Sequence, residues 1–79
     1  MVSNTFIDGD IVTEGGIALR MEMVKNGVKV LRKMMDKGEE NDMYQFILKL
    51  ITEYKQDILN YGNPDIKVTV VNYFTVIGQ

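Results

Sequence analysis

Apolar residues recur along residues 17–37 in two neighbouring stripes at helical spacing. The first stripe consists of Ile17, Met21, Val24, Val28, Leu31 and Met35, and the second of Leu19, Met23, Gly27, Val30 and Met34. At about 100° per residue the two stripes cover roughly 200° of the helix, twice the arc that an ordinary surface helix turns towards its core. The pattern predicts a helix over residues 17–37 that is covered on two sides.

A second helix is predicted from residue 40 or 41 to Tyr61, and it carries the same excess of apolar positions. Gly38 ends the first helix, Asn41 suits the start of the second, and Gly62 ends it. The short connection favours an antiparallel pair. A glycine inside a helix costs about 0.5–1 kcal/mol relative to alanine, so Gly27 predicts a helix crossing at which another backbone approaches closely.

Strands are predicted at both ends of the chain. Asp8-Gly9 between residues 5–7 and 11–13 is typical of a short hairpin. Residues 66–77 alternate and are rich in β-branched side chains, which predicts one long strand with an unpaired edge. The expected fold is α+β, in the order ββααβ, with the helical hairpin packed on a small antiparallel sheet. Phe46 and Phe74 are expected in the core.

The composition narrows the means by which this chain is stabilised. It has 79 residues, enough for a single domain over residues 1–79, and such small domains are marginally stable. It has no Cys and no His, so disulfides are excluded and a zinc site is disfavoured. Self-association, as a homodimer or a larger assembly, is the remaining device. No signal peptide or membrane span is recognisable, and we expect a cytoplasmic protein.

The chain lacks several of the residue types that enzymes most often use in catalysis. The commonest general base is missing with His, the Cys nucleophile is missing, and the single Ser is Ser3. Asp8 and Asp10 beside Gly9 are interpreted as a solvated turn rather than a cation site. We therefore expect no enzyme activity, no catalytic residue, no cofactor and no metal.

A basic face on the first helix, formed by Lys25, Lys29, Arg32 and Lys33, is the clearest charged feature. Three interpretations compete. The charges could be balanced within the chain, by the helix dipole, by Asp36 and by the acids at Glu39 and Glu40. They could meet an acidic protein partner, or they could bind a nucleotide or nucleic acid. The net charge of −2 and the lack of an aromatic residue on this helix disfavour nucleic acid.

The preferred hypothesis is a small interaction protein, an inhibitor or adaptor that self-associates and occupies another protein, a type common among viral and mobile-element proteins. The proposed partner-binding residues are Met21, Met23, Gly27, Lys29, Arg32, Lys33, Met34 and Met35. In this hypothesis the methionines supply apolar contact and the cations form a charged rim. The alternatives are an anion, nucleotide or nucleic-acid binder that uses the basic face, and a structural subunit that pairs through the edge of the 66–77 strand.

Overall fold

The structure, a computed structural model, describes residues 14–79, which fold into three helices and contain no strand. These are α1 (Glu14–Asp36), α2 (Asp42–Tyr61) and α3 (Pro64–Thr75). The predicted α+β fold with its ββααβ order is therefore wrong, because the segment expected as a long strand over residues 66–77 is mostly helix α3. The predicted hairpin at residues 5–7 and 11–13 lies outside the described residues.

The boundary between α1 and α2 confirms the sequence prediction. Gly38 takes a φ of 69°, a left-handed conformation that favours glycine. Its N–H donates to the Met35 carbonyl at 3.0 Å and the Glu39 N–H donates to the Met34 carbonyl at 2.8 Å, which together form a Schellman motif. The side chain of Asn41 then accepts from the N–H three residues further on, at 3.1 Å, and starts α2.

Residues 64–75 form helix α3 in place of the expected strand, and both ends of this helix are capped. The Asn63 side chain accepts the Ile66 N–H at 2.9 Å, and Pro64 occupies the first turn, where its missing N–H is not needed. At the other end Gly78 has a φ of 76°, and the Gln79 N–H donates back to the carbonyl of Phe74 at 3.0 Å. With both ends capped, the chain has no C-terminal strand edge. The edge-pairing subunit hypothesis thus loses its physical basis.

The core lies where the three helices meet. Its buried residues are Val24, Val28 and Leu31 of α1, Tyr44, Ile51, Tyr54 and Ile58 of α2, and Val70, Phe74 and Ile77 beside or within α3. The α1 members belong to the first apolar stripe, so that stripe is the core-facing one. Phe74 is in the core as predicted, at 1% exposure.

Helices α1 and α2 are antiparallel, as predicted. Arg20 near the start of α1 contacts Asp57 near the end of α2, whereas Gly27 contacts Ile51 earlier in α2. A Cβ added at Gly27 would lie 2.5 Å from Cγ2 of Ile51, closer than real contacts allow. Helix α2 packs closely on α1 at Gly27, as predicted, but the contacting atoms belong to the side chains of Ile51 and Ile47 and not to another backbone.

Candidate interaction surfaces

The second apolar stripe of α1 is largely exposed. Leu19, Met23 and Val30 have 51%, 40% and 45% of their surface open to solvent. Within residues 14–79, the buried core residues of α1 all belong to the first stripe, which faces α2 and α3. The excess of apolar positions in the sequence is therefore present in the fold as an apolar surface.

Helix α2 extends that surface. Met43 and Phe46 are 58% and 64% exposed, and Leu50 is half-buried between them and α1. We call this set of exposed or half-buried apolar residues on the two helices the α1–α2 face: Leu19, Met23, Val30, Met43, Phe46 and Leu50. The prediction that Phe46 belongs to the core is wrong, because residues 44, 51, 54 and 58 supply the inward side of α2.

A groove of about 230 Å³ runs along the α1–α2 face where Gly27 lets the two helices approach. It is lined by Met23, Asn26, Gly27, Val30, Ile47, Leu50, Ile51 and Tyr54. Phe46 lines a second hollow together with Lys49, Leu50 and Glu53. The same face thus combines a hollow and an exposed aromatic side chain.

A second groove, of about 360 Å³, lies between α1 and the end of α3, and we call it the α1–α3 groove. Its lining is Lys25, Val28, Lys29, Arg32, Lys33, Tyr73 and Val76. Arg32 joins its two walls: one guanidinium nitrogen donates to the Val76 carbonyl at 3.0 Å and Nε lies 3.4 Å from Oδ1 of Asp36. The basic face predicted on α1 therefore becomes one wall of a groove with an apolar floor.

The lysines of this groove differ from Arg32 in their partners. Within residues 14–79 the ion pairs join Arg20 to Asp57 and Arg32 to Asp36, and none involves a lysine. The predicted partnership of Asp36 is confirmed for Arg32. Glu39 and Glu40, expected to fold back on the basic face, form no ion pair in that part of the chain.

The structure divides the predicted partner-binding residues into three groups. Those on the groove of the α1–α2 face are Met23 and Gly27. Those on the α1–α3 groove are Lys29, Arg32 and Lys33. Those packed against the core are Met21, Met34 and Met35. The proposed charged rim and most of the proposed apolar contacts therefore do not form one surface, and sequence reasoning missed Phe46 and Val76.

Arg20 is a buried charged residue that sequence reasoning did not single out. Its side chain is only 1% exposed, and its guanidinium donates to the Gly16 carbonyl at 3.0 Å and to Asp57 Oδ2 at 3.3 Å. The guanidinium carbon also lies 5.8 Å from the centre of the Tyr54 ring. These contacts tie α1 to α2, which indicates a structural role for Arg20.

No protein-family model matches the sequence, and no curated protein and no solved structure matches the chain. Residues 14–79 contain no helix with the length and hydropathy needed to cross a membrane. The same described segment holds no group of three or more His, Cys, Asp or Glu residues placed to bind a metal ion. Function is therefore inferred from the two surfaces.

Proposed function

We propose that this chain is a non-enzymatic protein-interaction module that forms a homodimer through the α1–α2 face and acts by occupying another protein. The observation that carries the proposal is the exposure of the second stripe of α1 beside Phe46 of α2. The sequence inventory, without His or Cys and with Ser3 as its one serine, supports the non-enzymatic part.

The grouping of exposed apolar residues supports an interface. Five residues of the α1–α2 face are between 40% and 64% exposed: Leu19, Met23, Val30, Met43 and Phe46. Apolar residues scattered singly over a surface are ordinary, whereas these five are grouped on two adjacent helices. Such grouping is typical of an interaction site.

The shape of the face supports a second copy of this chain as the first occupant. A two-fold dimer uses the same patch on both subunits, so that patch must be complementary to itself. The α1–α2 face offers two features that suit this requirement, because Phe46 is exposed on α2 and a groove opens beside Gly27. Two antiparallel helix pairs placed face to face would form a four-helix bundle and bury both stripes of α1.

The test compares two apolar residues of similar fractional exposure. Phe46 is 64% exposed on the α1–α2 face, and Val68 is 61% exposed on α3, away from that face. Light scattering after size exclusion, with native mass measurement, is expected to give a dimer for the unmodified chain and for Val68→Ser. Phe46→Ser should give a monomer of unchanged helical circular dichroism, because a polar hydroxyl would replace the proposed central contact.

Two results would contradict the proposal. One is a monomeric mass for the unmodified chain at concentrations up to several hundred micromolar. The other is a dimer that Phe46→Ser and Val68→Ser weaken equally, which would place the interface elsewhere.

A further inference from the structure

The α1–α3 groove has a basic wall and an apolar floor. Val28, Tyr73 and Val76 supply apolar surface to it, and four cations of α1 stand along one side. Around the axis of α1 the residues that line this groove are centred roughly 130° from those of the α1–α2 face, at about 100° per residue. The groove is therefore open to a ligand while the α1–α2 face is occupied.

Three of the cations are available to a ligand. Lys25, Lys29 and Lys33 follow one another at four-residue intervals, about 6 Å apart along the axis, and they form no ion pair within residues 14–79. Like charges at this spacing destabilise a helix by a few tenths of a kcal/mol per pair, so helix stability does not account for the row. Arg32, in contrast, is held by the Val76 carbonyl and Asp36.

The groove suits an extended ligand better than a small molecule. Its volume of about 360 Å³ is at the low end of small-molecule sites, which enclose most of their ligand. Here Lys29, Arg32, Lys33 and Val76 are all exposed, so the groove is open along its length. A helix laid in a groove needs such an open apolar floor, with charges along the edge to fix its orientation.

Charge favours an acidic peptide over a nucleic acid. The two would share the lysine row, and the structure adds Tyr73 as an aromatic residue that could stack on a base. However, the chain carries a net charge of −2, whereas nucleic-acid binders are usually strongly basic. Glu or Asp side chains one helical turn apart would match the 6 Å interval of the lysines, with apolar side chains on the floor.

We infer that the α1–α3 groove binds an amphipathic helix of a partner protein whose acidic residues, one turn apart, pair with Lys25, Lys29 and Lys33. This inference rests on the proposed function, since it names the chemistry of the partner that the module would occupy. It assigns the target to the α1–α3 groove and leaves the α1–α2 face to the second copy.

The experiment uses a displayed library of 18-residue helical peptides on the full chain. An apolar stripe is fixed at helical spacing, and the flanking positions vary among Glu, Lys and Gln. Peptides that bind should be enriched in Glu at four-residue intervals on one side of the stripe. The strongest peptide is then measured by fluorescence anisotropy in low and high salt, beside a scrambled peptide of equal charge and a 20-nucleotide single-stranded DNA.

Two triple variants with equal loss of charge locate the site. Lys25→Gln, Lys29→Gln and Lys33→Gln remove the row, whereas Lys37→Gln, Lys49→Gln and Lys67→Gln remove three lysines outside the groove lining. The first set should weaken binding at least tenfold and the second less than threefold. Binding should also weaken with salt, because it depends on charge pairs.

Three outcomes overturn the inference: enriched peptides without an excess of Glu, equal losses for the two triple variants, or DNA that binds the groove more tightly than the selected peptide. Failure of the proposed function is separately visible. Phe46→Ser tests self-association by mass, and the same variant should still bind the acidic peptide, because Phe46 lies outside the groove.

Discussion

At the scale of single residues, Arg20 and Asp57 are unequal members of one ion pair. The Arg20 side chain is 1% exposed and that of Asp57 is 32% exposed, so water can solvate Asp57 if its partner is lost. A buried guanidinium that loses a carboxylate has no such compensation. The two residues should therefore differ in what their replacement costs.

We expect Asp57→Ala to destabilise the fold more than Arg20→Met. Asp57→Ala should lower the free energy of unfolding by about 1–3 kcal/mol, the cost of leaving a buried polar group short of a partner. Arg20→Met keeps most of the buried volume and should cost less than about 1.5 kcal/mol. Urea unfolding followed by circular dichroism measures both, with Glu53→Ala, an exposed carboxylate on the same helix, as a control within about 0.5 kcal/mol of the unmodified chain. The reverse order would show that Asp57 is not what holds the buried charge.

Gly27 gives a second prediction, because two effects of opposite sign meet there. Gly27→Ala would gain up to about 1 kcal/mol of helix propensity. The added Cβ would lie 2.5 Å from Cγ2 of Ile51, and relief of such overpacking costs about 1–3 kcal/mol. Since the contacted atom belongs to a branched side chain inside the core, we expect net destabilisation.

A double variant and a control test this cause. The double variant Gly27→Ala with Ile51→Ala lacks the clashing methyl. Its loss of unfolding free energy should therefore be smaller than the sum of the losses in the two single variants. Gly15→Ala, with nothing within 4 Å of the new Cβ, should be neutral or stabilising. A fully additive double variant would assign the effect of Gly27→Ala to something other than Ile51.

At the scale of elements, α3 is a helix made from residues that favour strands. Its stretch of Val68, Thr69, Val70 and Val71 carries little helix propensity, so its caps and its packing must supply the stability. Val70, Phe74 and Ile77 are buried against α1 and α2. Inward-facing residues therefore recur at helical spacing within a sequence that also alternates.

The helix cap at Asn63 should contribute to the free energy of unfolding, although Asn63 is exposed. Asn63→Ala removes the acceptor of the Ile66 N–H and is expected to lower the free energy of unfolding by about 1 kcal/mol. Asn60→Ala, at an exposed position inside α2, should be neutral or slightly stabilising because alanine favours a helix. Urea unfolding of both variants decides the matter. Equal effects would mean that Asn63 does not start a helix.

The sequence predicted α1 and α2 well and α3 wrongly, for an identifiable reason. In α1 and α2 the apolar spacing, the caps and the residue propensities agree, and all three indicate helices. In residues 63–79 the β-branched composition and alternation indicate a strand, while Asn63, Pro64 and Gly78 indicate the two ends of a helix. Packing against two existing helices decides in favour of the caps, and local propensity alone does not contain that information.

The wrong prediction of a strand over residues 66–77 also limited what could be predicted of the candidate surfaces. The lysine row follows from spacing on α1 alone, but Tyr73 and Val76 reach it only because α3 is helical. Phe46 lies at one edge of the apolar arc of α2, and spacing alone does not decide whether such a residue is buried. In the structure the buried residues of α2 are Tyr44, Ile51, Tyr54 and Ile58, and Phe46 is exposed.

At the scale of the whole molecule, the proposed homodimer would link folding to self-association, because the α1–α2 face is exposed in the single chain. A domain of this size buries only about 60% of the surface of its unfolded chain, and the core takes one stripe of α1 rather than both. Burial of the second stripe in a dimer would add stability that depends on protein concentration, because a dimer is favoured by mass action.

We therefore expect the thermal midpoint of unfolding to rise with concentration. For a dimer of two domains of this size the rise should be roughly 4 °C per tenfold increase in concentration. Calorimetry over a hundredfold range measures it, with Val68→Ser expected to behave like the unmodified chain. Phe46→Ser should unfold at one lower midpoint that does not vary with concentration, because its folded state would be monomeric. A constant midpoint for the unmodified chain would show that the α1–α2 face contributes nothing to folding, and any partner on that face would then be a foreign protein.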